Sequence, residues 1–97
     1  MDKRLNEIVE AVALHYPMPK EKIMKLRAGP GESSLARYAT YKLMISEGFT
    51  FRRIADFFGA KHHNVRQSVV KYEAWLGIYK PMKAKHTELE TEVLKWL

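Results

Sequence analysis

The chain has 97 residues, 46% of them hydrophobic, with 17 Lys and Arg against 11 Asp and Glu for a net charge of +6. That length supports one domain with a single modest core, and that hydrophobic fraction sets it apart from a disordered polyelectrolyte. It has no cysteine, which excludes a disulfide framework and a thiolate zinc site and fits a reducing compartment.

The start, MDKRLNEIVEAVALHY, places Leu5, Ile8, Val9 and Val12 on one helical face over about Lys3–His15. Glu7 and Glu10 interrupt it as either a secretory signal or a membrane span. Tyr16-Pro17-Met18-Pro19 ends this helix, and Pro19 suits the first position of a short second helix reaching about Leu26. Arg27–Ser33 (RAGPGES) reads as a loop. Ser33 or Ser34 is then the expected cap of a third helix that runs to about Glu47 and stops at Gly48. Apolar residues cover most of its circumference (Leu35, Ala36, Tyr38, Ala39, Tyr41, Leu43, Met44, Ile45), so it is expected at the centre of the fold.

Thr50–Tyr72, TFRRIADFFGAKHHNVRQSVVKY, is the most informative stretch. Phe51, Ile54, Ala55 and Phe58 make the apolar face of a fourth helix capped by Thr50, and Gly59 supplies the turn. Val65, Val69, Tyr72 and Leu76 resume the helical spacing from about His62 to Leu76, with Gly77 as the expected end. Two short amphipathic helices about a glycine turn are the sequence form of a helix-turn-helix, whose second helix enters the major groove of DNA. Pro81 is expected in a connecting loop. Thr87 with Glu90 forms a capping-box pattern for a last helix with Leu89, Val93, Trp96 and Leu97 inward. No segment alternates as a strand does. The fold class is all-α, with about six helices and a helix-turn-helix at about 51–58 and 62–76.

Charge concentrates on the same stretch. Residues 51–72 hold Arg52, Arg53, Lys61, Arg66 and Lys71 against Asp56, which is four of the six net charges. A clustered positive face is the footprint of a phosphate-binding surface. With Val65 taken as inward, a turn of about 100° per residue points His63, Gln67, Val70 and Ala74 outward, flanked by Arg66 and Lys71. His62, His63, Asn64, Arg66 and Gln67 are therefore the expected base readers. Arg52, Arg53, Lys61, Lys71 and Arg27 are the expected phosphate holders.

The order of these features resembles a known family. From LNEIVEAVALHY through IADFFGAKHHNV to the last helix, the chain is similar to the C-terminal DNA-binding domain (domain IV) of the bacterial replication initiator DnaA, in the Trp-repressor-like superfamily. The most specific part is Phe58-Gly59-Ala60-Lys61-His62-His63, similar to the family's Phe-Gly-Gly-Arg-Asp-His. The resemblance implies major-groove reading by the start of the fifth helix and a minor-groove contact from a basic loop before the third. His62-His63-Asn64-Val65 replaces the family's Asp-His-Thr-Thr, so a different target sequence is expected. The loop holds one arginine, Arg27, where the family has several, and the chain carries no GxxxxGK[ST] phosphate loop.

The expectation is therefore a stand-alone, initiator-like module for double-stranded DNA. It would be cytoplasmic and nucleoid-associated, regulating transcription or replication on a bacterial chromosome, phage or mobile element. No enzymatic activity, cofactor, metal or membrane contact is expected. Adjacent histidines such as His62 and His63 diverge by about 100° and do not converge on a metal as an i, i+4 pair does. No heptad seam is visible, so a monomer is the default and a dimer stays open. The alternative is a protein–protein module whose basic face docks an acidic partner.

Overall fold

A computed structural model of the chain describes residues 2–25 and 31–95. Those residues form six helices and no strand: α1 (Lys3–His15), α2 (Lys20–Met24), α3 (Glu32–Ser46), α4 (Phe51–Phe58), α5 (His62–Ile78) and α6 (Lys80–Lys95). The all-α expectation holds. So does the central role of α3, which packs against α1, α2, α4 and α5 while α6 closes the other side against α1 and α5.

Each helix turns its predicted stripe inward. Leu5, Ile8, Val9 and Val12 of α1 are fully buried, as are Ile54 of α4, Val65 and Tyr72 of α5 and Leu89 of α6. Burying a side chain of this kind contributes about 1.5–3 kcal/mol, so the stripes rather than helix propensity fix the packing. Phe58 closes the α4 end of the core with its ring edge-on to Tyr41, 4.9 Å between centroids. Burial pushes the Tyr41 hydroxyl up to about 12, against the opposing pull of the Arg37 guanidinium. Polar ties sit at the margins of the core. Arg4 on α1 donates to the Glu47 carboxylate, from Nε at 2.6 Å, and to the Val93 carbonyl of α6 at 3.3 Å. The buried Arg37 donates to the Lys25 carbonyl at 2.7 Å, which anchors the chain leaving α2.

The α4–α5 turn follows from local chemistry. Thr50 Oγ1 accepts from the Arg53 N–H at 3.0 Å and starts α4. Gly59 ends it at φ +72°, a left-handed conformation that costs other residues about 1–2 kcal/mol. The Ala60 N–H then reaches back to the Ala55 carbonyl at 2.8 Å and the Gly59 N–H to Asp56 at 3.4 Å, a Schellman closure.

Several boundaries differ from expectation. Pro19 caps α2 rather than opening it, and the predicted end at Leu26 lies outside the described residues. The third helix is capped by Gly31 (φ +134°), not by Ser33 or Ser34, whose backbones already lie within it. Gly77 does not stop α5, which runs through it to Ile78; the break falls at Tyr79, whose extended ψ of 103° leaves helical geometry. Pro81 is not in a loop but is the second residue of α6, where the N–H it lacks has no helical acceptor to serve. Thr87 and Glu90 form no capping box. Both lie inside α6, and Thr87 Oγ1 donates back to the Lys83 carbonyl at 3.0 Å. Leu89 and Val93 point inward as expected, while Trp96 and Leu97 lie outside the described residues.

The α5–α6 seam also buries a titratable pair that the sequence reading missed. His86 is 3% exposed, with Nδ1 2.9 Å from the Tyr72 hydroxyl and Nε2 without a hydrogen-bond partner among the described residues. Glu90 stands 3.5 Å from Nε2, Lys42 adds positive potential from α3, and Tyr16 faces the Tyr72 hydroxyl. Burial holds the imidazole below its ordinary 6.5; Glu90 opposes this and Lys42 reinforces it. The unfolded chain thus takes up this proton before the folded one does. The contribution to stability is complete above about pH 6.5, falls as pH drops toward the folded value, and is constant below it. Unfolding by urea at pH 7.5 and 5.5 should show this loss, and His86→Gln, which keeps a hydrogen-bonding group for Tyr72 but does not titrate, should flatten it. An equal loss in that variant would assign the effect to other groups.

Candidate nucleic-acid interface

The candidate face is built by α5 with its back to the core. Val65 and Val69 are 0% and 3% exposed, while His62, His63, Asn64, Arg66 and Gln67 are all exposed on the first two turns. Lys61 caps the helix with extended backbone and no side-chain bond, so its ammonium is left to solvent at the helix start. The first N–H groups of α5 also point out of this end, where the helix dipole favours negative charge.

Three shallow hollows show which side chains meet. His63, Arg66, Gln67, Val70 and Lys71 line one of about 380 Å³ along the outer face. Asn64, Gln67, Ser68, Lys71 and Tyr38 line a second on the flank towards α3. Lys61 and Asn64 meet Arg37, Tyr38 and Ser68 in a third, beneath the Gly59 turn. His63, Asn64, Arg66, Gln67, Lys61 and Lys71 thus form a continuous surface. His62 lies in none of these hollows; its ring stands edge-on to His63 at 6.0 Å.

The cations divide by partner. Among the described residues, Arg52, Lys61, Arg66 and Lys71 form no ion pair, and all four are exposed. Lys71 lies over the Trp75 ring at 5.4 Å, a contact its flexible stem can leave. Arg53 differs from its neighbour, being half-buried and ion-paired with Asp2 at the N-terminus. A phosphate at Arg53 would compete with that carboxylate. Arg27, and with it most of the loop expected to reach a minor groove, lies outside the described residues. The described residues bring together no group of three or more His, Cys, Asp or Glu that could hold a metal. None of their helices is long and apolar enough to cross a membrane.

No protein-family model, curated protein or solved structure matches the chain.

Two residues of the face escaped the sequence reading. Tyr38 appeared only as part of the apolar surface of α3, yet it is half-exposed and lines two of the hollows with α5. Ser68, one turn after Asn64, bonds the Asn64 carbonyl at 2.9 Å and flanks the same surface. The only advance signal was their polar hydroxyls beside apolar neighbours, and that is weak without knowing which helix α3 faces.

Proposed function

We propose that the domain binds double-stranded DNA, with α4 and α5 acting as a helix-turn-helix and the start of α5 lying in the major groove. The observation that carries this reading is the pairing state of the charges. Arg52, Lys61, Arg66 and Lys71 are exposed and form no ion pair among the described residues, and they stand beside the exposed hydrogen-bonding side chains of His63, Asn64 and Gln67. Cations of that kind hold phosphates, and a Gln or Asn on a helix start can bond adenine bidentately as Arg can guanine. The resemblance to the initiator's DNA-binding domain supports the same reading. It makes the role one of transcriptional or replication control, without catalysis and without a cofactor.

Binding to duplexes selected from a random pool, measured over a salt series, tests this. Four to six phosphate contacts give a log–log slope of about −4 to −5. His63→Ala or Gln67→Ala should lower preference for the selected site by about 1–3 kcal/mol and leave scrambled duplexes nearly unaffected. Lys61→Ala should weaken both equally and reduce the slope by about one. A flat salt response would sink the DNA reading and favour an acidic protein partner.

A further inference from the structure

A hollow beside the proposed reading face has a different chemistry. It measures about 440 Å³, and its walls include Leu35 and Tyr38 of α3, Lys71 and Trp75 of α5, Tyr79 at the α5–α6 break, and Met82 of α6. Three aromatic rings thus meet in one place. Tyr38 and Trp75 touch at 6.1 Å between centroids in a tilted contact, which leaves no gap for a ring between them, so a flat ligand must lie on an outer face. Such a face is available: Tyr79 is 52% exposed, and Trp75 is half-exposed.

Charge narrows the occupant. Among the described residues no acid lines the hollow, and Lys71 at its rim forms no ion pair. A second copy of this chain would bring another Lys71 against the first, on a protein that already carries +6. A negatively charged ligand with a flat apolar part meets both demands, stacking on an aromatic ring while the lysine holds its anion. Nucleotides have that form, and stacking of bases on aromatic side chains tolerates any base because each has a π-face. Position narrows it further. Lys71 lines this hollow and also the two on the outer face and flank of α5, and Tyr38 is shared with the flank. A strand leaving the reading face along α5 therefore runs into the aromatic wall.

We propose that this hollow seats an unpaired nucleobase next to the bound duplex, so that the domain prefers a junction of double and single strand to uninterrupted duplex. This rests on the DNA reading above. Tyr79 or Trp75 supplies the stacking surface. Lys71 swings off Trp75 to hold the phosphate of the same nucleotide.

The test compares a short blunt duplex with the same duplex carrying a brief thymine tail on its 5′ or, separately, its 3′ end. Wild type should bind one tailed form about tenfold more tightly than the blunt one, the size expected for one stacked base. Tyr79→Ala should remove that gain and leave blunt-duplex affinity unchanged, its exposed ring making it tolerable to the fold. In a Trp96→Phe background, where Trp75 is the sole tryptophan, the tailed duplex should quench emission and the blunt one should not. Equal affinity for blunt and tailed forms overturns the inference and leaves the duplex reading standing. Failure to bind the blunt duplex at all overturns the duplex reading itself. A tail preference that survives Tyr79→Ala without Trp75 quenching places the base elsewhere. If Tyr79→Ala instead dissociates a dimer in sedimentation and spares the tail preference, the hollow seats a second copy.

Discussion

Val65→Asp should abolish cooperative folding, or lower the melting temperature by at least about 15 °C. Val65 is 0% exposed and lies one turn into α5, where α5 packs on α3 and α4. Asp removes most of a buried Val's contribution and places a carboxylate at a fully buried position within the apolar core. Together these cost more than about 4 kcal/mol, against the roughly 5–15 kcal/mol that holds a domain of this size folded. Each kcal/mol moves the midpoint by about 4–8 °C. Val70→Asp is the matched control. Val70 is 59% exposed on the outer side of the same helix, so the same change should alter stability by less than about 0.5 kcal/mol. It also puts an acid among His63, Arg66 and Gln67, so DNA binding should fall while the fold stands. Equal melting temperatures for the two variants would mean that α5 does not sit in this register.

The contrast between Val65 and Val70 was available before any coordinates, because helical periodicity alone separates them. The same is true of the Thr50 cap and the Gly59 turn, whose partners lie within five residues. Errors came where a local pattern has two physical meanings. Proline breaks a helix interior but is harmless in its first turn, so Pro81 could not show on which side of a boundary it lay. Thr87-x-x-Glu90 caps a helix only if the backbone has left helical geometry at Thr87; here the helix has already begun at Lys80, and the hydroxyl bonds backwards instead. Gly77 likewise tolerates a helix end without requiring one.

The candidate face divides along the same line. Which α5 side chains point outward is a property of one helix, and His63, Asn64, Arg66 and Gln67 follow from it. Which cations have ion-pair partners is a property of the assembled fold. Arg52 and Arg53 are adjacent and chemically identical, yet only Arg53 meets Asp2, fifty-one positions away in the chain. Tyr38 joins the face, and His86 is locked against Tyr72, through contacts between helices that no periodicity reports.

Replacing Arg52, Lys61 and Arg66 together by Ala should nearly eliminate duplex binding at moderate salt without unfolding the domain. All three are exposed and form no ion pair among the described residues, so their loss breaks no salt bridge within the fold. If each meets one phosphate, each contributes a slope of about −0.9 in log K against log salt, worth about eightfold at 0.1 M. Three contacts then give about 500-fold, with the salt slope shallower by about three and the affinities converging near 1 M. A second triple, Lys3, Lys22 and Lys83 to Ala, removes the same charge from α1, α2 and α6, again from exposed residues that form no ion pair among the described residues. Both variants drop the net charge from +6 to +3. At 0.1 M salt the field of an exposed charge decays over about 10 Å, so the second triple should cost less than about threefold. Equal losses in the two triples would mean that DNA responds to the total charge of the protein and not to the face of α5. The α4–α5 pair would then have no claim to be the binding element.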